Sequence, residues 1–142
     1  MDFSSLAVQL LQSRARLLLV PAQRDVSRML RGELFVLNYL REQQRTVHPK
    51  ELSDRLCVSS ARIARLLNVL EKDDMIDRHT DPADSRSVVV ALTPKGEAEI
   101  DQVRCAVLDH ISSMLQALGE EDSKTYIRIL DQIYRNYQEQ KK

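Results

Sequence analysis

The chain has 142 residues and no formal net charge, with 21 Lys and Arg against 21 Asp and Glu. Apolar residues make up 43%, enough for the core of one domain and too many for a disordered chain. No stretch approaches the roughly 18 apolar residues of a membrane span, and Asp2 stands where a signal peptide needs Lys or Arg, while two cysteines are too few for a disulfide framework and fit a reducing cytoplasm.

Most of the chain reads as helix. Residues 4–19 space Leu6, Leu10, Leu11, Leu17 and Leu18 at three- and four-residue steps, with Ser4 or Ser5 as N-cap. Pro21 is expected to bend or end that helix, and 22–31 carries no clear pattern. Residues 32–43 (GELFVLNYLREQ) set Leu34, Leu37 and Leu40 on one face of a second helix. Pro49 suits the first position of a short third one, with Leu52 and Leu56 inward and His48 a poor cap. A helix from Ser60 to about Lys72 follows, with Ser59 as N-cap. At 100° per residue Ile63, Leu66, Leu67 and Leu70 share one sector; Ala61, Arg65, Asn68 and Lys72 lie opposite, with Arg62 and Val69 at the flank.

The period then switches to two. Residues 75–80 (MIDRHT) and 87–93 (SVVVALT) read as strands around a turn-forming DPADSR at 81–86, which makes a hairpin with a charged tip. Thr93 and Pro94 open a long helix, as N-cap and first residue, that runs to about Leu118, where Gly119 can stop it in a left-handed conformation. A last helix, about 122–140, carries Tyr126, Ile127, Ile129, Leu130, Ile133, Tyr134 and Tyr137, an apolar stripe too wide for one contact in so small a chain. A partner chain is inferred.

Neutral net charge argues against indiscriminate coating of nucleic acid but leaves room for a local basic surface. Residues 55–65 hold Arg55, Arg62 and Arg65 and no acid. Helix, short turn, helix and hairpin in that order make a winged helix-turn-helix, and the major groove of duplex DNA, about 12 Å wide, admits one helix. Arg62, Arg65 and Asn68 are donors for base edges and phosphates, and Ser59 and Ser60 at the helix N-terminus suit phosphate oxygens. Arg86 at the hairpin tip could enter a narrow minor groove. Asp84 could grip its guanidinium, or cap backbone N–H groups of the turn.

The run from Glu51 to Ile100 resembles the DNA-binding domain of the MarR (multiple antibiotic resistance regulator) family. The matching pieces are ELSDRL for the first helix of the motif, VSSARIARLLNVLE for the recognition helix and MIDRHTDPADSRSVVVALTPKG for the wing. D-P-x-D-x-R followed by L-T-x-x-G is the most specific part. The resemblance implies a mainly α (α+β) fold, one domain over 1–142. In it 1–31 and 100–142 form long dimerisation helices, and 32–99 the winged helix-turn-helix lobe. It further implies a homodimeric, cytoplasmic transcription regulator on a pseudo-palindromic double-stranded DNA operator, often a repressor released by a small-molecule effector. By position, Ser59, Ser60, Arg62 and Arg65 fall on the groove-facing start of the recognition helix, Arg86 on the wing arginine, and Asp84 on the acid that orients it. Pro49 and Lys50 fall where the preceding helix meets the DNA backbone. Cys57 and Asp74 stand where the family usually has Gly, which makes a left-handed Asp the expectation at 74. Arg62 stands in place of a small hydroxyl residue, and Val69 in place of a polar one.

No enzyme, cofactor or metal is expected. Gly32, Gly96 and Gly119 form no phosphate-cradling loop, and no Ser-His-Asp or Cys-His set has recognisable context. His48, His79 and His110 include no pair at ligand spacing. Cys57 and Cys105 are expected to be buried and inert. The competing reading is a winged-helix module that binds protein, which would keep its function when Arg62 and Arg65 are lost.

Overall fold

The structure, a computed structural model, describes residues 2–142. Seven helices and one hairpin are formed among the described residues: α1 (Phe3–Leu17), α2 (Pro21–Met29), α3 (Gly32–Gln43), α4 (Pro49–Leu56), α5 (Ser60–Lys72), β1 (Ile76–Asp81), β2 (Asp84–Leu92), α6 (Pro94–Leu118) and α7 (Glu120–Gln140). The mainly helical fold with a two-stranded wing is as expected. The chain divides into two compact units, residues 1–107 and 108–142, with α6 running through the boundary.

Local chemistry explains the boundaries. The cap of α1 is Asp2, whose carboxylate accepts the N–H of Ser4, rather than either serine. Pro21 does not merely end a helix. Val20 ahead of it is extended, as a residue before proline prefers, and Pro21 begins α2. Ala22, Val26 and Met29 give α2 a period that its polar residues obscure in the sequence; Ala22 and Met29 are buried. Gly119 has φ 93° and ψ 160°, a combination open to glycine and distinct from a left-handed helical stop. It acts as the N-cap position of α7.

The core of the first unit gathers Val36, Leu37 and Leu40 of α3, Val47, Leu52 of α4, Ile63, Leu67 and Leu70 of α5, Ile76 of β1, Val89 and Val90 of β2 and Ile100 of α6. Helix α5 therefore has one side sunk in the core, packed on α3, α4 and β1. Arg41 of α3 donates to Asp101 of α6 at 2.7 Å, which raises the pKa of its guanidinium further, and Arg104 of α6 donates to Asn38 and Glu42 of α3. In the second unit α7 has no buried residue, and Ser123 at its start donates to the carbonyl of Leu115 at 2.9 Å. Phe3, Leu10 and Leu11 of α1 are exposed by 73%, 62% and 72%, and Ile133 of α7 by 62%.

The start of α6 is locked to the end of α5. Asp74 takes the left-handed conformation expected of it, with φ 59°. Thr93 donates its hydroxyl to the Asp74 carbonyl at 2.6 Å and its N–H to the Met75 carbonyl at 3.1 Å, while its hydroxyl oxygen accepts the N–H of Gly96 at 3.0 Å. A Cβ on Gly96 would stand 2.0 Å from the Met75 carbonyl oxygen. The L-T-x-x-G signature is thus a steric and capping requirement. Gly96→Ala is expected to cost roughly 2–3 kcal/mol or more, because backbone must move to relieve the overlap; a urea melt of the two proteins measures it.

Candidate nucleic-acid interface

Helix α5 begins where sequence chemistry places it. Ser59 is extended and its Oγ accepts the N–H of Arg62 at 3.2 Å. Opposite Ile63, Leu67 and Leu70, the exposed face carries Ser60, Ala61, Arg62, Ala64, Arg65, Asn68 and Val69. The guanidinium groups of Arg62 and Arg65 have no acidic partner among the described residues. Two free cations therefore stand on the outer side of a rigidly seated helix.

Helix α4 leads into it. Its C-cap is Cys57 in a left-handed conformation (φ 55°) that glycine adopts more readily. Contrary to expectation both cysteines are exposed. Cys57 sits in the turn that leaves α4, and Cys105 lies two residues from Val103 and from buried Val107, on the other side of α6. Pro49 is the first residue of α4; Lys50 is exposed and paired loosely with Asp54 at 3.4 Å. Glu51 receives Arg45 at 2.8 Å, and that hydrogen bond holds its carboxyl below the usual carboxylate range.

The wing differs from the expected hairpin in a way that matters. The ladder runs from Ile76↔Leu92 to Thr80↔Val88, then skips to Asp81↔Asp84. The turn is only Pro82 and Ala83, and Ser85, Arg86 and Ser87 form a bulge in β2 without partners on β1. A bulge re-aims the side chains it carries. Arg86 is exposed there and has no acidic partner among the described residues. Asp84 does not hold that guanidinium. Its Oδ1 accepts the backbone N–H of Arg86 at 3.0 Å and its Oδ2 the hydroxyl of Ser87 at 3.2 Å. The second of the two readings of Asp84 is the observed one: it shapes the bulge.

Three ties fix this wing, and the sequence reading missed each of them. Val47 exchanges both backbone hydrogen bonds with Val90, at 3.0 and 2.8 Å, adding a short third rung to the hairpin. Arg78 of β1 donates to Glu71 of α5 at 3.1 Å and to the side-chain oxygen of Asn68. Asn68 is thus engaged by the wing rather than left free. A signal existed: Arg78 shares its strand face with buried Ile76, and Asn68 and Glu71 are one helical turn apart. Third, His48 Nε2 lies 3.1 Å from Asp81 Oδ2.

No group of three or more metal-ligating side chains occurs among the described residues, and no described helix is long and apolar enough to cross a membrane.

Residues 24–87, which include α4, α5 and most of the wing, match the sequence model of the MarR family. The HTH-type transcriptional repressor YetL of Bacillus subtilis (strain 168) is 27% identical over 86 residues, 61% of this chain and 52% of that protein. The chain spans about half the length of the curated relatives it matches. In three dimensions it resembles apo MarR from E. coli (TM-score 0.64, 24% identity, 94% of this chain and 97% of that one). It also resembles NadR, solved in complex with 4-hydroxyphenylacetate (TM-score 0.66, 20% identity, 90% of this chain and 91% of that one). Fold and sequence agree on the segment where a bulged wing stands beside a capped helix with free arginines: residues 24–87 are similar in sequence to the MarR family, and the chain has the winged helix-turn-helix fold of the solved structures it resembles.

Proposed function

We propose that two copies of this chain bind a pseudo-palindromic operator in the cytoplasm and act as a repressor that a small molecule releases. The observation that carries the reading is the pair of unpartnered guanidiniums, Arg62 and Arg65, on the exposed side of α5, with Arg86 on the bulge of the wing. On this reading α5 lies in the major groove. Arg62 and Arg65 reach base edges, and Ser59 and Ser60 meet phosphate at the helix N-terminus. Arg86 enters the flanking minor groove, where narrow stretches have enhanced negative potential. Pro49 and Lys50 approach the DNA backbone. Asp84 and Asn68 act at one remove, the first on the bulge and the second through Arg78.

Residues 32–99 serve as the DNA-binding lobe, and 1–31 with 100–142 as the dimerisation helices. Support comes from the apolar side chains exposed on α1 and, separately, on α7, since exposed apolar surface marks an interface. Repression is favoured by the name of YetL. The 4-hydroxyphenylacetate held by NadR makes small aromatic acids the first effectors to try.

Selection from a pool of random duplexes tests the reading directly, because an inverted repeat with half-sites about one helical turn apart fixes symmetry and spacing together. Sedimentation is expected to give a dimer; a monomer that ignores every duplex defeats the proposal. Against a selected duplex, Arg65→Ala is expected to lose roughly 1–3 kcal/mol per half-site with helicity retained, since alanine suits an exposed helical position. Affinity falls steeply with salt as phosphate contacts release counterions. Arg78→Met should weaken binding by a similar factor on all duplexes alike, because it frees the wing from α5 without removing a base contact; gel shift on matched and mismatched duplexes separates the two behaviours.

A further inference from the structure

We propose that His48 is a positioning residue for DNA binding, an imidazole that docks the tip of the wing on the N-terminus of α4 through Asp81 and makes affinity for duplex DNA depend on pH. The proposal rests on the reading of α5 and the wing as the DNA-contacting surface.

His48 occupies the N-cap of α4 but makes no side-chain capping bond. Its imidazole turns instead to the wing, where Nε2 lies 3.1 Å from Asp81 Oδ2. The Asp81 side chain is only 16% exposed, while that of His48 is 50% exposed. The other oxygen, Asp81 Oδ1, accepts the N–H of Ala83 at 2.9 Å. One carboxylate therefore forms the Pro82-Ala83 turn and grips α4. Next to His48, the backbone bridge of Val47 to Val90 fixes the middle of β2. The bridge holds the body of the wing and the imidazole holds its tip at Asp81, five residues before Arg86.

The 3.1 Å separation is that of an ion pair when the ring is protonated. An imidazolium attracts the Asp81 carboxylate across it, and a neutral ring has no such charge to offer. A histidine gains charge as the solution becomes more acidic, so the latch tightens in that direction. The other charged groups of this cleft are Lys50, Glu51, Asp54 and Arg55 of α4, which line it with Ser87. Lys50 is paired with Asp54 and Glu51 with Arg45. On the wing side Asp84 is engaged with the bulge backbone and Ser87. Asp81 is the carboxylate in contact with the imidazole.

The experiment uses the full chain and a duplex that the wild type selects from a random pool at about pH 6. Dissociation constants are measured from about pH 5.5 to 8 for wild type, His48→Gln and Asp81→Asn. The His48 ring and Ala83 amide signals are followed by NMR without DNA. Wild-type binding is expected to tighten about fivefold per wing towards the acid end. His48→Gln keeps a hydrogen-bond donor but no titrating charge and is expected to be flat near the wild type's alkaline affinity. Asp81→Asn keeps an oxygen for Ala83 and is expected to be flat as well. The Ala83 amide should titrate with the His48 ring in the wild type and in neither variant. Full pH dependence retained in Asp81→Asn would assign the imidazole to a phosphate and overturn the proposal, as would an Ala83 amide indifferent to His48. A wild type that binds no duplex at any pH defeats the DNA-contact reading itself, which the NMR arm distinguishes from loss of the latch.

Discussion

A two-stranded wing has no core of its own, since an isolated hairpin is marginal in water. Its aim depends on what clamps its open end. Here the clamp is the hydroxyl and N–H of Thr93, which together bind the carbonyls of Asp74 and Met75 and cap Gly96 of α6. The last turn of α5, the entry to β1, the exit of β2 and the first turn of α6 meet within these few bonds. Gly96 is pressed so close to Met75 that no larger residue fits. The left-handed Asp74 is the fold's response, as it turns the chain sharply enough to bring β1 under Thr93. Helix and wing are thereby tied into one rigid unit.

The same economy governs charge. The molecule is neutral overall, yet many of its bases are committed to structure: Arg41 to Asp101, Arg45 to Glu51, Arg78 to Glu71 and Asn68, Arg104 to Asn38 and Glu42. Partly exposed pairs of this kind contribute little energy each, and their effect here is to fix register between elements. Arg62, Arg65 and Arg86 are withheld from that use. Surface cations without acidic neighbours keep their field for a polyanion, so a neutral chain can present a positive face without being a nonspecific binder.

Capping chemistry made much of the fold legible. Ser59, Thr93 with Pro94, and Pro49 each announced a helix start through a side chain or ring acting within four residues. The burial of Ile63, Leu67 and Leu70 followed from their spacing. What failed to show was whatever joins residues distant in the chain. Arg78 meets Asn68 and Glu71, and His48 meets Asp81, only once the hairpin folds back. The bulge at Ser85–Ser87 was hidden because it breaks the alternation by which strands are recognised, which made the turn look longer than Pro82-Ala83. Cysteine burial was misjudged for a related reason: composition favours the interior, but helix phase decides, and Cys105 falls on the outer side of α6.

The bulge also changes what the D-P-x-D-x-R motif means. Read as a string, its second acid seems meant for the arginine two residues on. In three dimensions both acids spend their oxygens on backbone and neighbours: Asp81 on Ala83 and His48, Asp84 on Arg86 N–H and Ser87. The arginine itself is left unpaired. A guanidinium tied to a carboxylate would have to give up that bond before meeting phosphate or base, whereas one presented on a braced backbone gives up only water. Rigidity is placed in the main chain and freedom in the side chain, which on the proposed reading suits a contact with DNA that must first be found by diffusion and then held.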